Sequence, residues 1–275
     1  MTEINQTLTA KDKLPLFTRA WKIENPKAAI VLVHGFGEHS GRYAHLADFF
    51  NKNGYSVYAL DNRGHGKSEG KRGHTPKYEA YLDDIEVFLD YVHTQNKNTE
   101  IYLYGHSMGG NLVLNYLFRR KPAVKGVIVT GPWIQLAFEP KPILVTIGKL
   151  MRSIVPTFTQ NSGLQQEHIS KDPKVVEAYK QDTLVHGNIS AAASLGLLEA
   201  ASFLNTYEGE VPVPLLIMHG EDDLITSQPA SEALAHRLKG KVTYKKWEGM
   251  YHEIHNEPQQ LAVFNYTLGW MEASV

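Results

Sequence analysis

The strongest constraint on this chain is an alternation that runs through most of it. Short, almost wholly apolar runs are separated by stretches whose apolar residues recur every three or four positions. Residues 14–21 and 29–33 read as strands, and residues 43–52 read as a helix with Leu46, Phe49 and Phe50 on one face. Residues 55–60 form the next expected strand. Residues 78–95 follow as a helix, with Ile85, Phe88, Leu89 and Val92 at helical spacing. Strands at 101–104 and 124–129 enclose a helix at 111–118; later come a strand at 214–218, a helix at 229–238 and a strand at 242–247. A closing helix is expected from Pro258, since proline suits a first helical turn. Strands that are apolar on both faces must be covered on both faces. The expected class is therefore α/β, a mostly parallel sheet flanked by helices.

One stretch breaks the alternation. Residues 133–206 show no clear strand but are helix-forming with apolar faces. The expected organisation is a core of residues 1–132, an inserted cap or lid at 133–206, and the remainder of the core at 207–275. Within the insertion, Ile143, Leu144, Ile147, Leu150, Met151, Ile154 and Val155 fall at helical spacing, interrupted by Lys149 and Arg152. Such a pattern mostly means core packing; on a cap the same face can line an acyl tunnel or rest on a lipid surface, so peripheral membrane contact through the cap is an expectation.

Composition excludes several classes. A formal net charge of -1 with scattered Lys and Arg argues against nucleic acid as a partner. The absence of cysteine removes disulfides, thiolate metal sites and a cysteine nucleophile together. The histidines show no metal-ligand spacing, and no cofactor is implied. The polar N-terminus lacks the apolar run of a secretory signal, and the longest apolar segment, residues 142–156, is too short to span a bilayer. A cytoplasmic protein is expected.

The chemistry is carried by Gly105-His106-Ser107-Met108-Gly109. G-x-S-x-G alone is common, but here a strand precedes it and a helix follows. That context makes a sharp elbow holding the Ser107 hydroxyl above the sheet as a nucleophile. The N–H of Met108, at the start of the helix, is placed to donate to an oxyanion. A second donor is expected from the loop after residues 29–33, His34-Gly35-Phe36-Gly37, and the Phe36 N–H is assigned to it. The glycines there also simply permit a tight turn.

For a serine on such an elbow, the acid and then the histidine follow in the chain. After residues 214–218 comes Gly220-Glu221-Asp222-Asp223; G-x-x-D spacing favours Asp223, with Asp222 as its competitor. After residues 242–247, His252 and His255 compete, and His252, nearer the strand, is the expected base.

These stretches resemble the monoacylglycerol lipase and lysophospholipase branch of the serine α/β-hydrolases. The matching segments are HGFGEHSGRY (34–43), DNRGHGKSEG (61–70), GHSMGG (105–110), GEDDLIT (220–226) and GMYHEIHNEP (249–258). The resemblance implies the α/β-hydrolase fold with a helical cap inserted after the sixth strand, and a Ser107, Asp223 and His252 triad. It implies hydrolysis of monoacylglycerols to fatty acid and glycerol through an acyl-Ser107 intermediate. It further implies that Glu38, Arg42, Tyr179 and His255 bind the head group. Thr183 stands where the family often has proline. For Glu38 and Arg42 a loop-stiffening salt bridge is the plainer role, and for Tyr179 simple cap packing. The competing readings are a lysophospholipase, a broad carboxylesterase and a non-catalytic ligand-binding relative. Peptidases and thioesterases share the scaffold, whereas dehalogenases require aspartate where Ser107 stands.

Overall fold

The structure, a computed structural model, describes residues 2–138 and 154–273. Its centre is an eight-stranded sheet built from β1 (Thr2–Thr9), β2 (Pro15–Lys22), β3 (Ala28–Val33), β4 (Tyr55–Leu60), β5 (Glu100–His106), β6 (Gly126–Thr130), β9 (Leu215–Gly220) and β10 (Val242–Trp247). The spatial order is β1-β2-β4-β3-β5-β6-β9-β10. The β1–β2 and β2–β4 pairs are antiparallel; all others are parallel.

The wholly apolar runs take the central places because both of their faces are covered. In β3, Ala29, Val31 and Val33 join one core cluster, while Ala28, Ile30 and Leu32 join the other. The first cluster is closed by α2 (Tyr78–Gln95), α3 (Met108–Arg120), α5 (Ala191–Thr206) and α6 (Gln228–Arg237). The second is closed by α1 (Ala44–Lys52) and α7 (Gln260–Ala273), through Leu46, Phe50, Val263 and Phe264. Each large apolar side chain so buried stabilises the fold by roughly 1.5–3 kcal/mol.

Between β6 and β9 lies the insertion, which carries α4 (Pro173–Gln181) and two short strands. These strands correct the expectation of a strandless stretch: β7 (Thr159–Asn161) pairs antiparallel with β8 (Asn188–Ser190). At three residues each they are too short to show a periodicity. The last helix of the stretch, α5, packs through Ala193, Leu197, Ala200 and Leu204 into the core cluster of α2 and α3. Of the apolar stripe at 143–155, residues 143–153 lie outside the described residues; Ile154 and Val155 are exposed. Differences from expectation also lie at the two ends of the chain. The strand β1 is new, an exposed polar edge without the apolar run of a buried strand. The closing helix starts at Gln260, two residues after the proline.

The chain passes from β3 to β4 on one side, then crosses to β5 on the other. The crevice outside the carboxyl ends of β3 and β5 is thus a topological switch point, where such sheets bind ligands. The turn after β4 braces it. Asp61 accepts from the Ser40 N–H at 2.7 Å and the Lys67 N–H at 2.8 Å. The Asn62 N–H donates to His34 Nε2 at 2.9 Å. Buried Arg63 forms a bidentate pair with Asp84 of α2 at 2.6 and 2.7 Å, and also reaches Asp12. Asp84→Ala leaves the Arg63 charge buried without its main partner, so a loss of about 3–5 kcal/mol in unfolding free energy is expected by denaturant titration.

Candidate active site

Ser107 joins β5 to α3 with φ 53° and ψ −116°, a backbone conformation costly for any residue with a side chain. Three hydrogen bonds hold it there. The Ser107 N–H donates to the Thr130 carbonyl at 3.0 Å, and the Ser107 carbonyl accepts from Asn111 and Trp133 N–H groups, each at 3.0 Å. The flanking glycines follow from close approach. A Cβ on Gly109 would lie 2.0 Å from the Val33 carbonyl oxygen, and one on Gly105 would lie 2.5 Å from that of Gly109. The start of α3 is therefore pressed against the end of β3. The loop after β3 lies equally close, since a Cβ on Gly35 would sit 3.1 Å from Ser107 Cβ. Phe36 shares a cavity with Ser107, and among the described residues no acceptor engages its N–H.

The acid loop discriminates among its three carboxylates. Glu221 and Asp222 are exposed and paired with Lys246 and Lys171 at 2.8 and 2.7 Å. Asp223 is buried and turned inward. Its Oδ1 accepts from the N–H groups of Ile225 and Thr226 at 2.7 and 3.0 Å. Its Oδ2 lies 2.7 Å from His252 Nδ1, 2.9 Å from His219 Nε2 and 2.8 Å from Thr226 Oγ1. A carboxylate oxygen can only accept, so both imidazole nitrogens facing it carry hydrogen. That leaves His252 Nε2 as the basic nitrogen. His219 Nδ1 then accepts from the Ser231 hydroxyl at 2.8 Å.

Burial alone would push the Asp223 carboxyl upward. The His252 charge and the donations from both histidines outweigh it and hold Asp223 well below the ordinary carboxylate range. Burial likewise opposes charge on His252, yet the adjoining Asp223 carboxylate prevails and raises it above 6.5. His106, against the His252 ring at 4.7 Å, is pushed by burial and by His252 down to about 3 and is neutral.

Ser107 and His252 border one narrow, partly open cavity of about 20 Å³. Its walls include apolar Leu164, Ile169 and Ile225 and polar Glu38, Tyr179 and Glu253. Glu38 accepts from the Gly35 N–H at 2.7 Å, the Tyr43 hydroxyl at 2.8 Å and Arg42 Nη1 at 2.7 Å. Burial opposes its ionisation, but Arg42 and the neighbouring histidines hold its pKa at about 2. Arg42 is also bidentate to Glu253, at 2.7 Å for each bond, and its guanidinium lies 4.6 Å from the centre of the Tyr179 ring.

Of the four expected head-group residues, Glu38 and Tyr179 line the cavity, whereas Arg42 and His255 do not. Arg42 is clamped between two carboxylates. His255 is fully buried, stacked on Tyr43 at 4.9 Å and set edge-on to His106 at 4.6 Å. Sequence reasoning missed His219, Thr226 and Glu253. A histidine four residues before the candidate acid Asp223 was the available signal for the first, and a glutamate beside the candidate base His252 for the last. A larger depression of about 440 Å³ beside Glu167, Lys171 and Lys180 is open to solvent and lacks Ser107 and His252. Among the described residues no cluster of His, Cys, Asp or Glu could hold a metal ion, and no helix is long and apolar enough to cross a membrane.

A family model described as serine aminopeptidase, S33, matches residues 24–259. A monoacylglycerol lipase of Mycolicibacterium smegmatis is 32% identical, covering 90% of this chain and 89% of its own length. A phospholipase of Bacillus subtilis is 31% identical over 89% of this chain and 95% of the relative. An uncharacterized abhydrolase domain-containing protein of Dictyostelium discoideum is 38% identical across all of this chain, which spans only 30% of that relative's length. Among solved structures, the monoacylglycerol lipase of Paleococcus ferrophilus superposes with TM-score 0.87 at 30% identity, over 94% of this chain and 99% of that one. The chain belongs to this family of serine α/β-hydrolases, as a monoacylglycerol-lipase-like carboxylic ester hydrolase.

With His252 as candidate base, the acid limb of the kcat/KM profile for ester hydrolysis is expected to have its midpoint above the ordinary histidine value, because a base must be neutral to act and Asp223 favours the charged imidazole. His219→Leu withdraws one donor from Asp223, leaves its carboxylate more basic, and should move that limb further up. His219→Gln, which retains a side-chain donor, should return it; an unmoved limb in the leucine variant sinks the assignment.

Proposed function

We propose that the protein hydrolyses monoacylglycerols to glycerol and fatty acid through a Ser107, Asp223 and His252 triad. His252 Nε2 takes the Ser107 proton as Oγ attacks the ester carbonyl, and Asp223 fixes the tautomer and stabilises the imidazolium. The N–H groups of Phe36 and Met108 hold the oxyanion. The tetrahedral intermediate collapses to an acyl-serine as His252 returns its proton to the departing glycerol oxygen. Water, deprotonated by His252, then releases the fatty acid and restores Ser107.

The observation that carries this reading is the mixed wall of the cavity. Apolar Leu164, Ile169 and Ile225 suit an acyl chain, and Glu38, Tyr179 and Glu253 suit hydroxyl groups, in the space shared by Ser107 and His252. The lysophospholipase reading is the alternative, favoured by the similarity to the Bacillus phospholipase. Exposed Phe138, Ile154, Val155 and Phe158 on the inserted segment support peripheral contact of the cap with a lipid surface.

A fluorophosphonate probe should label the wild type and not Ser107→Ala, whose turnover should fall about ten-thousand-fold or more. Equal labelling of the two proteins would remove Ser107 from the mechanism. Among substrates of matched chain length, monoacylglycerol should be turned over faster than diacylglycerol, triacylglycerol or lysophospholipid. Preference for lysophospholipid would install the alternative. Flotation with liposomes, with and without anionic lipid, should carry the protein upward; its absence from both floating fractions defeats the membrane contact.

A further inference from the structure

We propose that Glu253 is a specificity-determining residue: with Glu38 it forms a two-carboxylate wall that accepts the two free hydroxyls of a glycerol monoester and turns away esters with anionic phosphate heads. The inference rests on the monoacylglycerol reading above and deepens it.

The first observation is charge. Glu38 and Glu253 both line the cavity, and no Lys or Arg does so among the described residues. Arg42 is the cation associated with them, and it is already engaged. Its Nη1 donates to Glu38 Oε2 and Glu253 Oε1, its Nη2 donates to Glu253 Oε2, and the Tyr179 ring lies over its face. Two carboxylates against one guanidinium leave the group with a net negative charge. Both carboxylate side chains are buried, and in that poorly solvated setting the charge acts strongly on any ion brought close.

Lone pairs provide the second observation. Each carboxylate oxygen offers about two acceptor sites. Glu38 Oε1 has used both, on the Gly35 N–H and the Tyr43 hydroxyl. Glu253 Oε2 has also used both, on Arg42 Nη2 and Asn256 Nδ2, the latter at 2.7 Å. Glu38 Oε2 and Glu253 Oε1 have each used one, and both on the same Nη1. Two adjacent acceptors therefore retain capacity. A monoacylglycerol carries two free hydroxyl donors. A glycerol monoester bearing a phosphate carries one, and its phosphate oxygens present charge and lone pairs to an acceptor wall of the same sign.

The test compares kcat/KM for 1-oleoylglycerol, 1-oleoylglycerol 3-phosphate and the neutral, bulkier monooleoyl ester of diglycerol, in wild type and Glu253→Gln. Glutamine keeps one carbonyl acceptor and removes the charge. Wild type should take both neutral esters and discriminate strongly against the phosphate. In E253Q that discrimination should narrow at least tenfold, mainly through a lower KM for the phosphate ester. A folded E253Q, judged by its thermal unfolding, with an unchanged ratio overturns the assignment while leaving the monoacylglycerol reading intact. If E253Q does not fold, the wild-type series decides. Rejection of the bulky neutral ester as strongly as the phosphate makes size the criterion and overturns the proposal, and acceptance of it with rejection of the phosphate supports charge. Wild type that hydrolyses the phosphate as well as the glycerol ester also overturns it. Wild type that hydrolyses none of the three overturns the underlying reading instead.

Discussion

The contact on which the site depends is the pressing of the start of α3 against the end of β3. With no room for a Cβ on Gly109 beside the Val33 carbonyl, the helix starts directly behind the sheet edge. Ser107 is thereby forced into its positive φ, and its backbone is tied to Thr130, Asn111 and Trp133. The strain is local, of order 1–3 kcal/mol, and the surrounding structure overdetermines it. The same approach brings the Gly35–Phe36 turn against the serine, so one packing constraint puts Ser107 and Phe36 on the same cavity.

Around that elbow the buried charges are satisfied in two separate groups. Asp223 is held by two backbone N–H groups, two histidines and Thr226, which keeps it ionised beneath His252. Glu38, Arg42 and Glu253 form the second group and join the loop after β3 to the loop carrying His252. Buried ion pairs of this kind are poor sources of net stability, because desolvation offsets much of their attraction. Their contribution here is positional: a rigid polar wall beside an apolar one.

Much of this was legible in sequence for a physical reason. Strands β3 to β6 are apolar on both faces, and α2 repeats its apolar residues at helical spacing, so local patterns report them directly. The elbow is local too, its glycines spaced by the geometry of one turn. β1 escaped because an exposed edge strand needs no apolar run, and the short β7–β8 pair because three residues carry no period. His219 escaped because its role appears only when residue 252 is brought to the same carboxylate oxygen.

By itself, then, the sequence determined the layered α/β class, the strand–Ser107–helix elbow, and the candidate acid and base loops in their chain order. Tertiary structure alone decided which charged groups face the cavity. Arg42 and Glu253 are 211 residues apart, and their pairing turns the guanidinium into a clamp while Glu253 becomes part of the wall. Hydrophobic periodicity and turn chemistry act over a few residues and can be read along the chain. The direction a buried charge faces is set by partners that only folding brings within hydrogen-bonding distance.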